Sequence, residues 1–328
     1  MKEPKVSILI PFKKLNEQVE DCIRNCLKLN YTNYDIILLP DKPINKKYHK
    51  TKVIPTGPVH QSAKRNIAIF KTDSDIIASI DSDAYPDKNW LKNAVLLFKD
   101  NKIGAVGGPN LAPKNSPHLE KAAIDIVYSK LGLASGYNLR KYKLRGAFEH
   151  KEVASSNLLA RVGLLREIGG YYKNLPTGED SILSFKIRKL NKKIIYSPKV
   201  VVYHHRRKLF LPHLRRIFEQ ARDKAVILKA SFSKDKSVYF VPSIFVICLI
   251  TGAILSFFNS TVSIIYFSVL AFYAFLVIAE SINSKGFYAS LLVFLGLPLT
   301  HLSYGVGFLF GLILQKKKQI KELKKIFQ

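Results

Sequence analysis

Val238–Phe258 is 21 residues without a charged side chain, and Val262–Ala279 is another 18. At 1.5 Å of rise per helical residue, each can cross a hydrocarbon core of about 30 Å. Phe287–Leu314 is a third apolar stretch, 28 residues long and interrupted by Gly296, Pro298 and His301. Buried helices of soluble domains rarely run this far without charge, so the back of the chain reads as a membrane region. Composition divides near Ser237: residues 238–328 hold seven lysines, no arginine and two acids. The remaining 45 of 52 basic and 22 of 24 acidic residues give the front part a net charge of +23 out of +28. That front part has the composition of a water-soluble domain, and 328 residues leave room for one large domain plus an accessory region.

The front part alternates short apolar runs with helical patterns. Val6–Ile10 reads as a strand buried on both faces and ended by Pro11, and Ile36–Leu39 as a second, closed by Pro40-Asp41. Between them Val19, Cys22, Ile23, Cys26 and Leu27 recur at helical spacing. Val53-Ile54 reads as a short strand, Ser62–Lys71 as a helix, Ile76–Ile80 as a strand, Asn89–Lys99 as a helix and Ile103–Val106 as a strand. The alternation predicts a Rossmann-like α/β fold with a mostly parallel sheet.

Two carboxylates, Asp81 and Asp83, follow the Ile76–Ile80 run immediately. Side chains at i and i+2 of an extended segment point the same way, so the two can converge on one cation. Oxygen ligands suit Mg²⁺ or Mn²⁺, which complete their shell with substrate phosphates and water. A polar turn closing a strand is the plain alternative. Asp73-Ser74-Asp75 is a second copy of the tripeptide, but it precedes the strand. In open parallel sheets ligands bind outside the carboxyl ends of the strands. Pro11, Asp41 and Asp81/Asp83 all fall just past such ends. No Gly-x-Gly-x-x-Gly or P-loop occurs, which favours a nucleoside diphosphate held through a cation over one cradled by backbone amides.

Strong positive charge suits nucleic acid, anionic lipid or an anionic small substrate. No zinc-finger, helix-turn-helix or RNA-binding aromatic signature is present, so nucleic acid is not the expected partner. Cys22, Cys26 and Cys248 show no paired pattern and read as reduced core residues. Met1-Lys2-Glu3-Pro4 runs directly into an apolar strand, so the front domain is expected to remain cytoplasmic.

Val6–Pro11, Asp41, Arg65-Asn66, Asp81-x-Asp83, Gly169-Gly170 and Gly178-Glu179-Asp180 together resemble the family 2 glycosyltransferases over roughly Val6 to Lys224. The resemblance implies a glycosyltransferase A fold and transfer of a sugar, with inversion, from a nucleotide-diphosphate sugar, aided by Mg²⁺ or Mn²⁺. It places Pro11 and Asp41 at the nucleoside, with Asp41 accepting from the base. It also places Glu17 and Glu179 at the nucleotide sugar, although Phe12-Lys13-Lys14-Leu15 replaces the family's usual short turn. Arg65 would approach the nucleotide or its phosphates; otherwise it belongs to a solvated helix face. Asp180 is implied as general base, taking the proton of the acceptor hydroxyl. It also precedes the helical pattern Ser181–Leu190, where Asp is a favoured N-cap. Val200–Tyr203 is a further strand, and the resemblance makes His204 the next metal ligand, with His205 as alternate. Processive members carry Gln-x-x-Arg-Trp near this point. Here the run is Gln220-Ala221-Arg222-Asp223-Lys224, and the only tryptophan is Trp90. Single-sugar transfer is therefore expected over a processive polysaccharide synthase or a catalytically silent scaffold.

After Pro212, Leu214, Ile217, Phe218, Ala221, Ala225 and Leu228 recur at helical spacing among basic residues. Such a helix suits the plane of an anionic membrane surface, with a core helix of the front domain as the alternative. Arg206, Arg207, Arg215 and Arg216 would face a lipid-linked acceptor and anionic lipids. The chain is then expected to comprise a catalytic domain (1–205), an interfacial helix and linker (206–237), a membrane region (238–314) and a basic tail (315–328). A prokaryotic plasma membrane is the expected location. Positive-inside charge puts the tail in the cytoplasm, which requires an even number of crossings. Three apolar stretches give an odd number unless Pro298 marks a re-entrant hairpin; otherwise the tail lies outside.

Overall fold

A computed structural model of the chain describes residues 3–132, 146–232, 234–284, 286–314 and 316–328. The chain divides into two compact units, one of Met1–Pro113 and Tyr142–His205, the other of Lys114–Lys141 and Arg206–Gln328.

The first unit is built on an eight-stranded sheet. Strands β1 (Val6–Pro11) and β4 (Ile76–Ile80) are buried at every position, as continuous apolar runs covered on both faces should be. With β2 (Tyr34–Leu39) and β3 (Thr51–Val53) they run parallel in the order β3-β2-β1-β4. Helix α1 (Glu17–Cys26) starts at Asn16, whose Oδ1 accepts from Val19 N at 3.0 Å. It buries Val19, Cys22, Ile23 and Cys26 in the core shared with β1, β2 and β4. Both of these cysteines are free thiols, as is the exposed Cys248. Helix α2 (Gln61–Lys71) connects β3 to β4, and α3 (Trp90–Val95) follows β4.

Beyond β4 the sheet becomes mixed. It continues through β9 (Asn157–Arg161), β6 (Ile103–Gly107) and β10 (Lys193–Tyr196) to β8 (Phe148–Glu149). Strand β9 is antiparallel to both its neighbours, β4 and β6. Sequence periodicity does not reveal it, because Leu158-Leu159-Ala160-Arg161 is made of good helix formers. Long-range bonds hold it in place: Asn157 Oδ1 accepts from Trp90 Nε1 at 2.8 Å, and its Nδ2 donates to Val200 O at 2.8 Å. Helix α5 (Val162–Glu167) follows β9, and α6 (Glu179–Lys189) precedes β10.

A second, three-stranded sheet consists of β5 (Ala84–Pro86), β11 (Val202–His204) and β7 (Asn110–Leu111). Strand β5 leaves β4 directly after the Asp81–Asp83 turn, and β11 pairs antiparallel to it with His204 opposite Ala84.

The second unit is helical: α4 (His118–Tyr128), α7 (Leu211–Ala230), α8 (Val241–Ser256), α9 (Ser260–Ser281), α10 (Phe287–Ile313) and α11 (Lys317–Phe327). Lys236–Ser256, Ser260–Ser281 and Phe287–Ile313 are each long and apolar enough to cross a membrane. Helix α10 continues through Pro298, so no re-entrant break occurs there. The Thr300 hydroxyl donates to Gly296 O at 2.7 Å beside the position where proline lacks an N–H.

Helix α7 differs from the expected surface helix. Its apolar stripe, including Ile217, Ala221, Ala225 and Leu228, packs with Tyr304 and Phe308 of α10 and is not left to lipid. The contact is close because α10 offers glycines: a Cβ at Gly307 would lie 2.5 Å from Phe218 O, and one at Gly311 2.3 Å from Arg222 O. Small residues four apart let helix backbones approach. The same stripe of side chains serves lipid or protein, and the Gly307/Gly311 spacing is what selects protein.

Candidate active site

Because β1, β2 and β4 are adjacent and parallel, their carboxyl ends share one rim of the sheet. Pro11 closes β1, Asp41 follows β2, and Asp81 follows β4. The small sheet adds the remaining member. Pairing of β11 with β5 places His204 Nε2 3.1 Å from Asp83 Oδ1 and 3.9 Å from Asp81 Oδ2, across 121 residues of chain. One ligand atom each from Asp81, Asp83 and His204 lies within 4.8 Å of the others, the one such trio among the described residues. His205 contributes its backbone N–H, which donates to Asp83 O at 3.0 Å and braces the turn. Two carboxylates and an imidazole nitrogen at this spacing fit a six-coordinate divalent cation that keeps open positions for phosphate oxygens, and the imidazole favours Mn²⁺ over Mg²⁺.

Arg65 lies beneath the trio and is no solvated helix residue, being fully buried on α2. Its Nη2 is 2.5 Å from Asp81 Oδ1, its Nη1 is 4.0 Å from Glu179 Oε1, and its guanidinium stands 5.6 Å from the Tyr171 ring centroid. Burial acts to lower the Arg65 pKa, but Asp81, Tyr171 and Glu179 outweigh it and hold the cation above its ordinary value. The pairing occupies Asp81 Oδ1 and leaves Oδ2 as the oxygen nearer His204.

The neighbouring Asn66 makes a reciprocal clamp on the Gly169-Gly170 turn. Its Nδ2 donates to Tyr171 O at 2.9 Å, and its Oδ1 accepts from Tyr171 N at 2.8 Å. Gly170 has φ +67°, and a Cβ there would lie 2.3 Å from Asn66 Oδ1, so glycine is required on both counts. Adjacent residues of one helix thus hold the metal-facing carboxylate and the turn that leads toward α6.

Helix α6 begins at Glu179, with Gly178 at its N-cap and φ +86°. Asp180 is therefore inside the first turn and not the cap, a correction to the alternative role expected for it. Its Oδ1 accepts from Ser181 N at 3.0 Å. Both acids of the first turn sit at the positive end of the helix dipole.

Asp41 receives a cation that the sequence did not suggest. Lys64 is 2% exposed, pairs with Asp41 Oδ1, and donates to Phe12 O at 2.6 Å and Leu39 O at 3.3 Å. It ties the ends of β1 and β2 together and fixes the Asp41 carboxylate. Glu17 stands exposed at the first position of α1, and its side chain makes no hydrogen bond or ion pair among the described residues. In the second unit, Arg207 and Arg215 are exposed, while Arg206 and Arg216 are half-buried.

Residues 7–167 match the family model described as Glycosyl transferase family 2. Relatives include the O-antigen chain rhamnosyltransferase RfbN of Salmonella typhimurium, 27% identical over 154 residues covering 46% of this chain and 48% of that protein. The pre-mycofactocin glycosyltransferase of Mycobacterium tuberculosis is 25% identical over 146 residues, 44% of this chain and 30% of that protein. The chain spans about half or less of the length of these two relatives. Among solved structures, the mannosyltransferase PcManGT of Pyrobaculum calidifontis, determined with GDP-Man and Mn²⁺, superposes with a TM-score of 0.67 at 14% identity. That match covers 94% of this chain and 88% of PcManGT. Residues 7–167 thus carry a family 2 glycosyl transferase domain, and the fold is glycosyltransferase A-like.

Proposed function

We propose that this chain, with its family 2 glycosyl transferase domain, moves one sugar from a nucleoside-diphosphate donor to a lipid-linked acceptor, with inversion at the anomeric carbon. The observation that carries the reading is the trio Asp81, Asp83 and His204 at the carboxyl rim of the sheet, linked through Arg65 to the start of α6. Asp41, fixed by Lys64, accepts from the donor base at the neighbouring strand end. Asp180 takes the proton from the acceptor hydroxyl as its oxygen bonds to the anomeric carbon and the bond to the diphosphate breaks. A divalent cation held by the trio supplies charge neutralisation for the diphosphate.

The acceptor class rests on the membrane-type helices and on the exposed basic residues Arg207 and Arg215 of the second unit. A hydroxyl or phosphate at headgroup level, as on a polyprenyl phosphate, a polyprenyl-linked saccharide or a glycolipid, suits that setting. By name RfbN is a rhamnosyltransferase and PcManGT a mannosyltransferase, and the proposal leaves the sugar open.

The test is to incubate full-length protein in detergent with a panel of nucleotide sugars and Mn²⁺, with and without polyprenyl phosphate. One donor should be hydrolysed slowly alone and consumed faster with the lipid. Neutralising Arg215 and Arg216 together should weaken use of the lipid by roughly 30-fold, at about 1 kcal/mol per basic residue near an anionic surface, while leaving donor hydrolysis unchanged. Failure to turn over any donor would refute the transferase reading, and turnover indifferent to lipid would refute the acceptor class.

A further inference from the structure

Three helices are long and apolar enough to cross a bilayer, but their surroundings differ. Half of the most apolar window of α10 is buried in protein, against 11% for Lys236–Ser256 and 6% for α9. What buries α10 matters more than how much. Helix α7 runs alongside it in parallel: the His213 ring lies 3.2 Å from the Thr300 hydroxyl, Ser303 donates to Leu214 O at 2.7 Å, and Lys229 Nζ donates to Leu314 O at 2.9 Å. That stretch of α7 carries Arg215, Arg216, Glu219, Arg222, Lys224 and Lys229. Helix α4 flanks the other half. His118 meets the Tyr288 ring edge-on with centroids 5.4 Å apart, a Cβ at Gly296 would lie 2.6 Å from Ile126 Cδ1, and Leu131 O is 2.7 Å from His301 Nε2. Helix α4 bears Glu120, Lys121 and Asp125.

From Tyr288 to Leu314, then, α10 has a charged helix alongside it. It cannot enter the hydrocarbon as a span without drawing those charges in, and intramembrane charge is rare and costly. Its outer side is nevertheless apolar and exposed, at Leu291, Leu295, Leu299, Val306 and Phe310. One apolar face outward and charged helices behind is the pattern of a helix lying in the membrane surface.

The α8–α9 pair is different. Among the described residues its contacts with α10 lie toward its base: a Cβ at Gly305 would lie 2.4 Å from Pro242 O, the Tyr273 hydroxyl is 2.8 Å from His301 Nδ1, and Val277 packs with Leu292 and Val293. Further out the two helices touch each other, Gly252 receiving the Tyr266 ring, and the large side chains they leave exposed are apolar, as at Ile254, Ile264 and Phe267. The turn at Asn259-Ser260-Thr261 is polar and exposed. With 22 residues, α9 is about 33 Å long, enough for a hydrocarbon core of about 30 Å.

We infer that α10 does not cross the bilayer but lies in one membrane surface with α4 and α7 on its aqueous side, and that the α8–α9 hairpin alone crosses. Two crossings return the chain to the side on which it entered α7, so the lysine-rich tail shares the side of the glycosyl transferase domain. The six lysines of 316–325 on the cytoplasmic side also satisfy the positive-inside tendency.

Membrane-impermeant maleimide labelling of full-length protein in right-side-out and inside-out vesicles tests this. Cys22 and Cys26 are fully buried, so a Cys248→Ala background suffices to receive single cysteines at exposed positions. Lys28→Cys in the transferase domain and Lys321→Cys in the tail should label in the same vesicle orientation, with Asn259→Cys at the hairpin turn labelling in the opposite one. If Lys321→Cys labels with Asn259→Cys, α10 is a third span and the inference is overturned. If all three label together, the hairpin does not cross and it is overturned as well.

Discussion

Asp-Ser-Asp occurs at both ends of β4, and the two copies have opposite surroundings. Asp73-Ser74-Asp75 precedes the strand: Asp73 pairs with Lys5 at 2.7 Å with its side chain 73% exposed, and Asp75 accepts from Lys5 N at 2.8 Å. Asp81-Ser82-Asp83 follows it, with a fully buried arginine behind Asp81 and a histidine from a distant strand in front. The composition of the tripeptide is therefore not what makes a site. Strand direction decides, because only the carboxyl end opens on the rim where adjacent parallel strands finish together. The kind of cation follows from position: a partly exposed lysine serves one copy, while a buried guanidinium that can face two carboxylates serves the other.

The sharpest way to break the comparison is at the metal. Asp83→Ala should lower turnover by more than about 10³-fold, as several kcal/mol of charge stabilisation disappears from the transition state. EDTA should do the same to the native chain, with Mn²⁺ restoring activity better than Mg²⁺. Full activity in metal-free protein would leave the two tripeptides functionally alike.

The next effect lies at α6. Asp180→Asn should cost about 10²–10⁴ in sugar transfer while donor affinity stays within about a few-fold, the signature of a lost general base. Gly178 is the N-cap, so this substitution removes no cap, and asparagine keeps an oxygen able to accept from Ser181 N. Transfer at the native rate would confine the chemistry of this rim to the metal trio.

Much of this rim was legible in the sequence for one physical reason: Asp41, Asp81, Asp83 and His204 each come directly after an apolar run, where a buried strand must end. Lys64 was not, because Gln61-Ser62-Ala63-Lys64-Arg65 reads as a solvated helix start. Its burial depends on the carbonyls of Phe12 and Leu39, which only the folded sheet brings together. Strands of two or three residues, such as β5 and β7, are too short for periodicity to register, yet β5 is what aligns His204 with Asp83. At the start of α6 a glycine with φ +86° supplies the cap position that was the alternative role for Asp180.

The two supporting cations give a smaller contrast. Arg65→Met leaves Asp81 and Glu179 without their buried partner and should cost about 3 kcal/mol, the low end for a broken buried pair because the Asp81 side chain keeps 22% exposure. In a domain of this size that lowers the melting temperature by roughly 6–12 °C in differential scanning fluorimetry. Lys5→Met should leave it unchanged within about 1 °C, since an exposed ion pair gains little over water. Equal losses at the two positions would mean that burial does not distinguish them.

The smallest effect expected is at Asp73. Lys5 holds its carboxyl below the usual range, chiefly through a direct hydrogen bond, but the carboxylate is solvated and the pair is open to salt. Asp73→Ala should keep turnover, metal activation and donor affinity within about a factor of two of the native chain. The measurement is a Mn²⁺ titration of donor hydrolysis run beside Asp83→Ala. The two variants each remove one aspartate from an Asp-Ser-Asp sequence, so any difference between them arises from the end of β4 at which it sits. A loss of metal activation in Asp73→Ala comparable to that in Asp83→Ala would show that strand direction does not separate the copies, and would remove the basis for placing the metal at the carboxyl rim.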